Sequence, residues 1–324
     1  MSVVLVTSPD TNAGKTAICV ALGQRLRRLG KQVAYRRVSG PGADADAKMV
    51  ASALRQSDSP DSLVHPAEAI AGSLRGEADV VLVEASISST RTVVAALSTE
   101  TTISLIVARY VPDDLAQTIV DHATVAGIAS AQVIINAVPD KGQRQVDQRV
   151  APALHAAGLT VVGVVPQDRI MLGMTARELA VALDAEVLCG ADGLDGPVEA
   201  VMVAAMSDEG AEPYFRRLNR KAVVAAGDRP DIHMPALATD TTCIVLTEGR
   251  DPDPTVLKTA DQQSVPLLKV GPDTTATLDR ISDAWSKIRF HQSHKVSRAY
   301  ALYQSHVAEA SLLEALGVTS EVVR

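Results

Sequence analysis

Residues 2–7, 32–37, 79–84, 102–108, 131–136 and 160–165 are short runs dominated by Val, Ile and Leu. Between them lie longer stretches, GKTAICVALGQRLRRLG and DDLAQTIVDHATVAG among them, whose apolar residues recur every three or four positions. The first pattern predicts strands and the second helices. Strands apolar on both sides, alternating with helices, predict a parallel sheet covered on both faces. After the polar, glycine-rich CGADGLDGP at 189–197 the pattern resumes, with strands expected at 198–205, 221–226, 242–247 and 265–270. That interruption predicts three parts: a domain over 1–190, a smaller α/β domain over 191–292, and a helical tail over 293–324. A single tail helix is expected from His294 to Leu316, with Val296, Tyr300, Tyr303, Val307 and Ala310 forming one apolar stripe at 4-3-4-3 spacing. Such a stripe either packs on its own domain or joins two copies into a homodimer.

The stretch SPDTNAGKT at residues 8–16 joins the first strand to the first helix. A helix N-terminus offers unpaired N–H groups and the positive end of a dipole, so it suits phosphate. Gly14 lets backbone approach an anion closely, Lys15 has the reach to a β/γ-phosphate, and the Thr16 hydroxyl suits Mg²⁺. The usual phosphate loop carries a further glycine where this chain has Pro9, a position that shapes the loop without taking part in the chemistry. Asp10 and Thr11 suit the tight turn. The expected nucleotide contact is therefore Asp10, Thr11, Asn12, Ala13, Gly14, Lys15, Thr16 and Ala17. Glu84 ends the run DVVLVE, where a carboxylate beside the loop can hold Mg²⁺ directly or through water. In DADAK at 44–48, Asp44 reads first as a helix-terminus residue, while Asp46 reads equally as that or as a second metal carboxylate. The expected metal set is Thr16, Asp46 and Glu84. In the second half, Gly227-Asp228-Arg229 with Thr247 forms a possible second ligand site at a sheet edge. The alternative is a structural turn with Asp228 capping the next helix and Arg229 paired to Asp231.

Composition narrows the classes. The 324 residues are enough for two domains, and 47% hydrophobic with 21% charged residues is a globular mix. A net charge of -7 argues against a nucleic-acid or acidic-membrane partner. Cys19, Cys189 and Cys243 lack paired metal spacing and fit a reduced compartment. With no charged-then-apolar leader and no apolar run near 18 residues, a cytoplasmic location is expected.

SPDTNAGKT, DADAK, VLVEAS and VIINAVP, in this order, resemble the dethiobiotin synthetase-like P-loop family. GVVPQDRIML, ALDAEVLCG, AAMSDEGAEPYFRR, AVVAAGDRPDIHMPALATDTTCIVLTEG and DPDPTVLKTADQQSVPLLKV resemble the DRTGG domain. Together they resemble the amino-terminal part of long phosphate acetyltransferases, and LIVARY with the tail fits that family's free-standing members. The resemblance implies a P-loop NTPase-like sheet, a smaller α/β DRTGG-type domain and a C-terminal helix, with ATP and Mg²⁺ as cofactors. It implies Asn136 as a base-reading residue. Three departures stand out: Ser8 replaces a glycine, Arg36-Arg37 replaces a Lys-Pro pair, and Ala85-Ser86-Ile87-Ser88 replaces the glycines that hold the diamine substrate. Arg36 keeps a positive charge near the γ-phosphate, so Lys15 and Arg36 are the expected catalytic pair.

The acetyltransferase chemistry of that family resides in a large carboxy-terminal domain, which this chain has no room for before Arg324. The favoured expectation is a nucleotide-responsive regulatory module. An ATP-dependent ligase of the dethiobiotin synthetase type and a companion to a separate phosphate acetyltransferase chain are the alternatives.

Overall fold

The computed structural model describes residues 1–40, 42–74, 76, 78–98, 101–203, 211–286, 290 and 293–318. The chain divides into two compact units, residues 1–171 with 289–324, and residues 172–288.

The first unit is built on β1 (Ser2–Thr7), β2 (Val33–Val38), β3 (Val64–His65), β4 (Val80–Glu84), β5 (Thr102–Arg109), β6 (Ala131–Val138) and β7 (Leu159–Pro166). They form one parallel sheet in the order β3-β2-β4-β1-β5-β6-β7. Alternation along β1 shows how the sheet is covered twice. Val4 and Val6 join a cluster with α1 (Lys15–Arg28) and α2 (Ala43–Ala53). Val3 and Leu5 point the other way, into a cluster with Val93 of α3 (Thr90–Ala96). On that second face α4 (Leu115–Ala126) covers β5 and β6. The strand β3 is the one element of this sheet that hydrophobic pattern did not announce, being only two residues long.

The tail closes this unit. The expected single helix is two, Ser293–His306 and Ala310–Ala315, and residues 319–324 of the tail lie outside the described residues. Between the helices Val307 bridges Gly163 antiparallel, and the Ala308 N–H donates to the Val162 carbonyl at 2.7 Å, so the chain extends the edge strand β7. Leu302, Tyr303, Val307, Leu312 and Leu313 enter the same core cluster as Cys19, Leu22 and Leu26 of α1. Tyr303 is 1% and Tyr300 6% exposed. Tyr300, Tyr303 and Val307 of the stripe are therefore buried within the first unit and are not available as the homodimer contact, while Ala310 is exposed.

The second unit holds a five-stranded sheet, β11-β12-β13-β14-β9, made of β9 (Glu186–Cys189), β11 (Ala200–Val203), β12 (Lys221–Ala226), β13 (Thr241–Thr247) and β14 (Leu267–Lys269). All neighbours are parallel except β14 with β9. A small antiparallel pair, β8 (Met174–Thr175) with β10 (Pro197–Val198), stands beside it. Residues 204 and 205 of the strand expected at 198–205 lie outside the described residues.

The expected boundary near 190 falls inside this unit. Helix Ala176–Leu183 buries Leu179 and Leu183 among Val224 and Val245, and β9 pairs with β14. CGADGLDGP is a tight internal corner whose glycines admit close backbone approach: a Cβ on Gly193 would lie 1.9 Å from the Ser264 carbonyl oxygen. His233, on helix Pro230–Leu237, is fully buried. Burial pushes its pKa from 6.5 down to about 4.

Two outcomes follow for stability. Tyr300→Glu with Tyr303→Glu lowers the unfolding free energy from urea titration by at least about 3 kcal/mol, the scale of losing a buried aromatic, and so lowers the urea midpoint, with the native mass unchanged by light scattering. A changed mass at an unchanged midpoint would contradict this packing. For His233, the unfolded ring takes a proton below about 6.5 and the folded ring only below about 4. Stability of the second unit therefore falls as pH drops from 6.5 to 4, by at most about 1.4 kcal/mol per pH unit. Urea unfolding followed by the fluorescence of Trp285, the chain's one tryptophan, measures it, and His233→Leu flattens that slope.

Candidate functional site

The loop between β1 and α1 is shaped by its own side chains. Ser8, fully buried, donates to the Asp10 carbonyl at 2.6 Å and accepts from the Asp10 N–H at 2.9 Å. This turn closes the loop around Pro9, the position where the usual motif has glycine. Asn12 (φ +57°) and Gly14 (φ +97°) are left-handed. Gly14 also leaves room for Asn136, since a Cβ there would lie 2.3 Å from its Nδ2. The Asn136 amide donates to the Ala13 carbonyl at 2.8 Å, and its Oδ1 accepts from the Ala137 N–H at 2.9 Å. In this structure Asn136 buttresses the loop. Thr11 is exposed, Asp10 half-buried, and Ala13 and Ala17 buried. Burial pushes the Asp10 carboxyl up, opposed by the Arg109 N–H and the Lys15 charge.

Immediately after Gly14, Lys15 and Thr16 open α1, and Gly14 supplies no side-chain cap, so the first N–H groups of the helix face the loop. Thr16 Oγ1 donates to Glu84 Oε1 at 3.0 Å. Tyr35 donates its hydroxyl to Glu84 Oε2 at 2.8 Å. The Arg37 guanidinium lies 3.8 Å from Glu84 Oε1 and 3.4 Å from Asp46 Oδ2, and its Nη1 donates to the Glu84 carbonyl at 3.2 Å. Glu84 itself is 1% exposed. Lys15 is buried in the same group. Burial lowers its pKa, the Glu84 charge holds it up, and Arg37 pushes it down again.

The expected residues thus divide. Lys15, Thr16, Glu84 and Asp46 are brought together, and Asp44 is exposed. Arg36 is not with them: it donates to the Ser73 and Tyr35 carbonyls and lies 3.6 Å from Asp58. The period-two alternation of a strand turns neighbours to opposite faces, so the cation in the cluster is Arg37, whose register partner on β4 is Glu84. The same alternation puts Tyr35 with Arg37 and would have shown both in the sequence. Thr7, Thr90 and His122 form a second polar group that no local pattern announced. Thr7 Oγ1 lies 2.6 Å from Thr90 Oγ1 and 3.0 Å from His122 Nε2. Burial, with the Lys15 charge, lowers the His122 pKa.

In the second unit Arg229 forks onto Asp231 at 2.7 to 3.1 Å, and Arg250 pairs with Asp228 and Glu248. Thr247 is buried, 3.0 Å from the Thr274 hydroxyl. Gly227, Asp228 and Arg229 therefore form an internally paired turn. Arg229 pairs with Asp231 as the structural alternative expects, while Asp228 goes to Arg250 and does not cap the helix.

A DRTGG domain model matches residues 178–284. The chain is 28% identical to a phosphate acetyltransferase of Synechocystis sp. over 197 residues, 57% of this chain and 27% of that protein. It is 24% identical to a phosphate acetyltransferase of Nitratidesulfovibrio vulgaris over 212 residues, 57% of this chain and 30% of that protein. The chain spans less than a third of the length of these curated relatives. Among solved structures, the MinC:MinD cell division protein complex of Aquifex aeolicus matches 53% of this chain and 84% of its own at 15% identity, with a TM-score of 0.39. The CBS and DRTGG domains of the regulatory region of Clostridium perfringens pyrophosphatase, complexed with the activator diadenosine tetraphosphate, match 48% of this chain and 74% of their own at 14% identity, with a TM-score of 0.32. Among the described residues no helix is long and apolar enough to cross a membrane. Residues 178–284 thus match the DRTGG domain, and 57% of the chain is similar to two phosphate acetyltransferases.

Proposed function

We propose that the first unit binds ATP with Mg²⁺ at the loop of residues 8–16 and that the chain acts as a nucleotide-responsive regulatory module. The observation that carries this reading is Lys15, a buried cation at an uncapped helix N-terminus beside Thr16 and Glu84. Open N–H groups, a dipole end and a desolvated ammonium converge on one place, and a polyphosphate answers all three. The Thr16 hydroxyl and Glu84 carboxylate offer oxygens 3.0 Å apart, a hard pair of the kind Mg²⁺ takes alongside water and phosphate oxygens. Thr16 and Glu84 would hold the ion, whose contribution is to neutralise charge on the β- and γ-phosphates. Asp46 is committed to Arg37, so it belongs to the surrounding shell. Among the described residues no group of three or more His, Cys, Asp or Glu forms a metal site by itself, and a P-loop ion needs none because the nucleotide supplies ligands.

The regulatory part rests on kinship with the phosphate acetyltransferases and on the DRTGG domain, a class of module that the Clostridium perfringens protein carries in a regulatory region. A homodimer within this reading uses a surface other than the tail stripe.

Titration calorimetry of ATP with Mg²⁺ into the full chain tests the proposal. Lys15→Ala weakens binding by about 1.5–3 kcal/mol, the range of a charge-assisted hydrogen bond. Equal affinity in the folded variant overturns the site. Glu84→Gln removes the carboxylate charge and makes binding insensitive to the choice between Mg²⁺ and EDTA. A Mg²⁺ dependence retained in that variant removes Glu84 from the metal role.

A further inference from the structure

At the far end of α1 the first unit has a cleft of about 560 Å³ lined by Gln24, Arg27, Arg28, Arg55, Ser297 and Tyr300, together with the apolar residues between them. Three separate pieces of chain build it: the last turns of α1, the left-handed residue Arg55 (φ +49°) just after α2, and the tail helix Ser293–His306. The Arg28 guanidinium stacks 4.0 Å from the Tyr300 ring centroid. From Lys15 to Arg28 the helix rises about 20 Å, so the cleft is separate from the phosphate loop.

Basic residues in a last turn favour the negative end of a helix dipole, and that accounts for Arg25, Arg27 and Arg28 taken one at a time. It does not account for Arg55, which belongs to another element, or for the shape. Arg25 has its own carboxylate, Glu309, at 2.6 Å. Arg27, Arg28 and Arg55 make no ion pair among the described residues, and no lining residue of the cleft is acidic. In a chain of net charge -7, three arginines line one concave surface that no carboxylate lines. A guanidinium is a planar fork matched to phosphate or carboxylate oxygens. The volume lies in the range of small-molecule sites, and the Ser297 hydroxyl adds an uncharged donor.

We propose that this cleft binds a small multivalent anion, carrying at least two phosphate or carboxylate groups, at a site distinct from the phosphate loop. The ligand class follows from charge and size: three cations favour more than one negative group, and the concave volume favours a small molecule.

Calorimetric titration of inorganic tripolyphosphate and, separately, of citrate into the full chain at matched ionic strength tests this. The titrations use the Lys15→Ala chain in EDTA, so that the phosphate loop contributes little, and are repeated with Lys15 intact. The expected result is one saturable site for at least one probe, weakened at least about tenfold, the scale of one charge-assisted hydrogen bond, by Arg27→Gln with Arg55→Gln. Neither side chain is in the core, so the thermal midpoint without ligand stays as it was. Saturation by tripolyphosphate alone identifies phosphate groups, by citrate alone carboxylates, and by both a general polyanion site. No saturable binding of either probe, or equal binding after the double substitution, overturns the proposal.

Discussion

A single buried carboxylate organises the first unit. Glu84 is removed from water at the end of a central strand, and an isolated charge there would cost several kcal/mol. Three groups from two other elements relieve that cost: the Thr16 hydroxyl from the start of α1, and the Tyr35 hydroxyl and Arg37 guanidinium from β2. Each partner in turn fixes something else. Thr16 sets where α1 begins, which places Lys15. Arg37 reaches on to Asp46 and so ties down the first turn of α2. The loop that presents the helix N-terminus is held independently by Ser8 from within and Asn136 from β6.

That arrangement explains why the loop tolerates losing its usual first glycine. The glycine supplies turn geometry, and the hydroxyl of Ser8, bonded twice to the Asp10 backbone, supplies the same turn by another route. Gly14 has no such substitute, because its conformation and the closeness of Asn136 both exclude a side chain.

The far end of α1 depends on the tail. Residues 293–318 complete the core over α1, extend the edge of the sheet at β7, and add the Arg25–Glu309 and Arg298–Asp168 ion pairs. An unpaired strand edge invites unwanted pairing, and Val307 with Ala308 covers part of this one. The basic cleft exists only because the tail helix brings Ser297 and Tyr300 opposite the arginines of α1 and α2.

Local sequence determined the elements whose cause is local. Continuous apolar runs specify buried parallel strands, and β1, β2, β4, β5, β6, β7, β12 and β13 lie within a residue or two of where those runs stand. Gly14-Lys15-Thr16 after such a strand specifies an open helix N-terminus, and Glu84 at a strand end specifies a carboxylate at the same sheet edge. Sequence spacing left open whatever depends on two distant segments meeting. The glycine-rich corner at 189–197 looks like a linker until Ser264 is seen against Gly193. The tail stripe fits a second copy as well as its own fold, because an apolar face does not encode what covers it. The choice between Arg36 and Arg37 lay in strand alternation, but which face held the carboxylate was decided by the pairing of β2 with β4, a contact between residues nearly fifty positions apart.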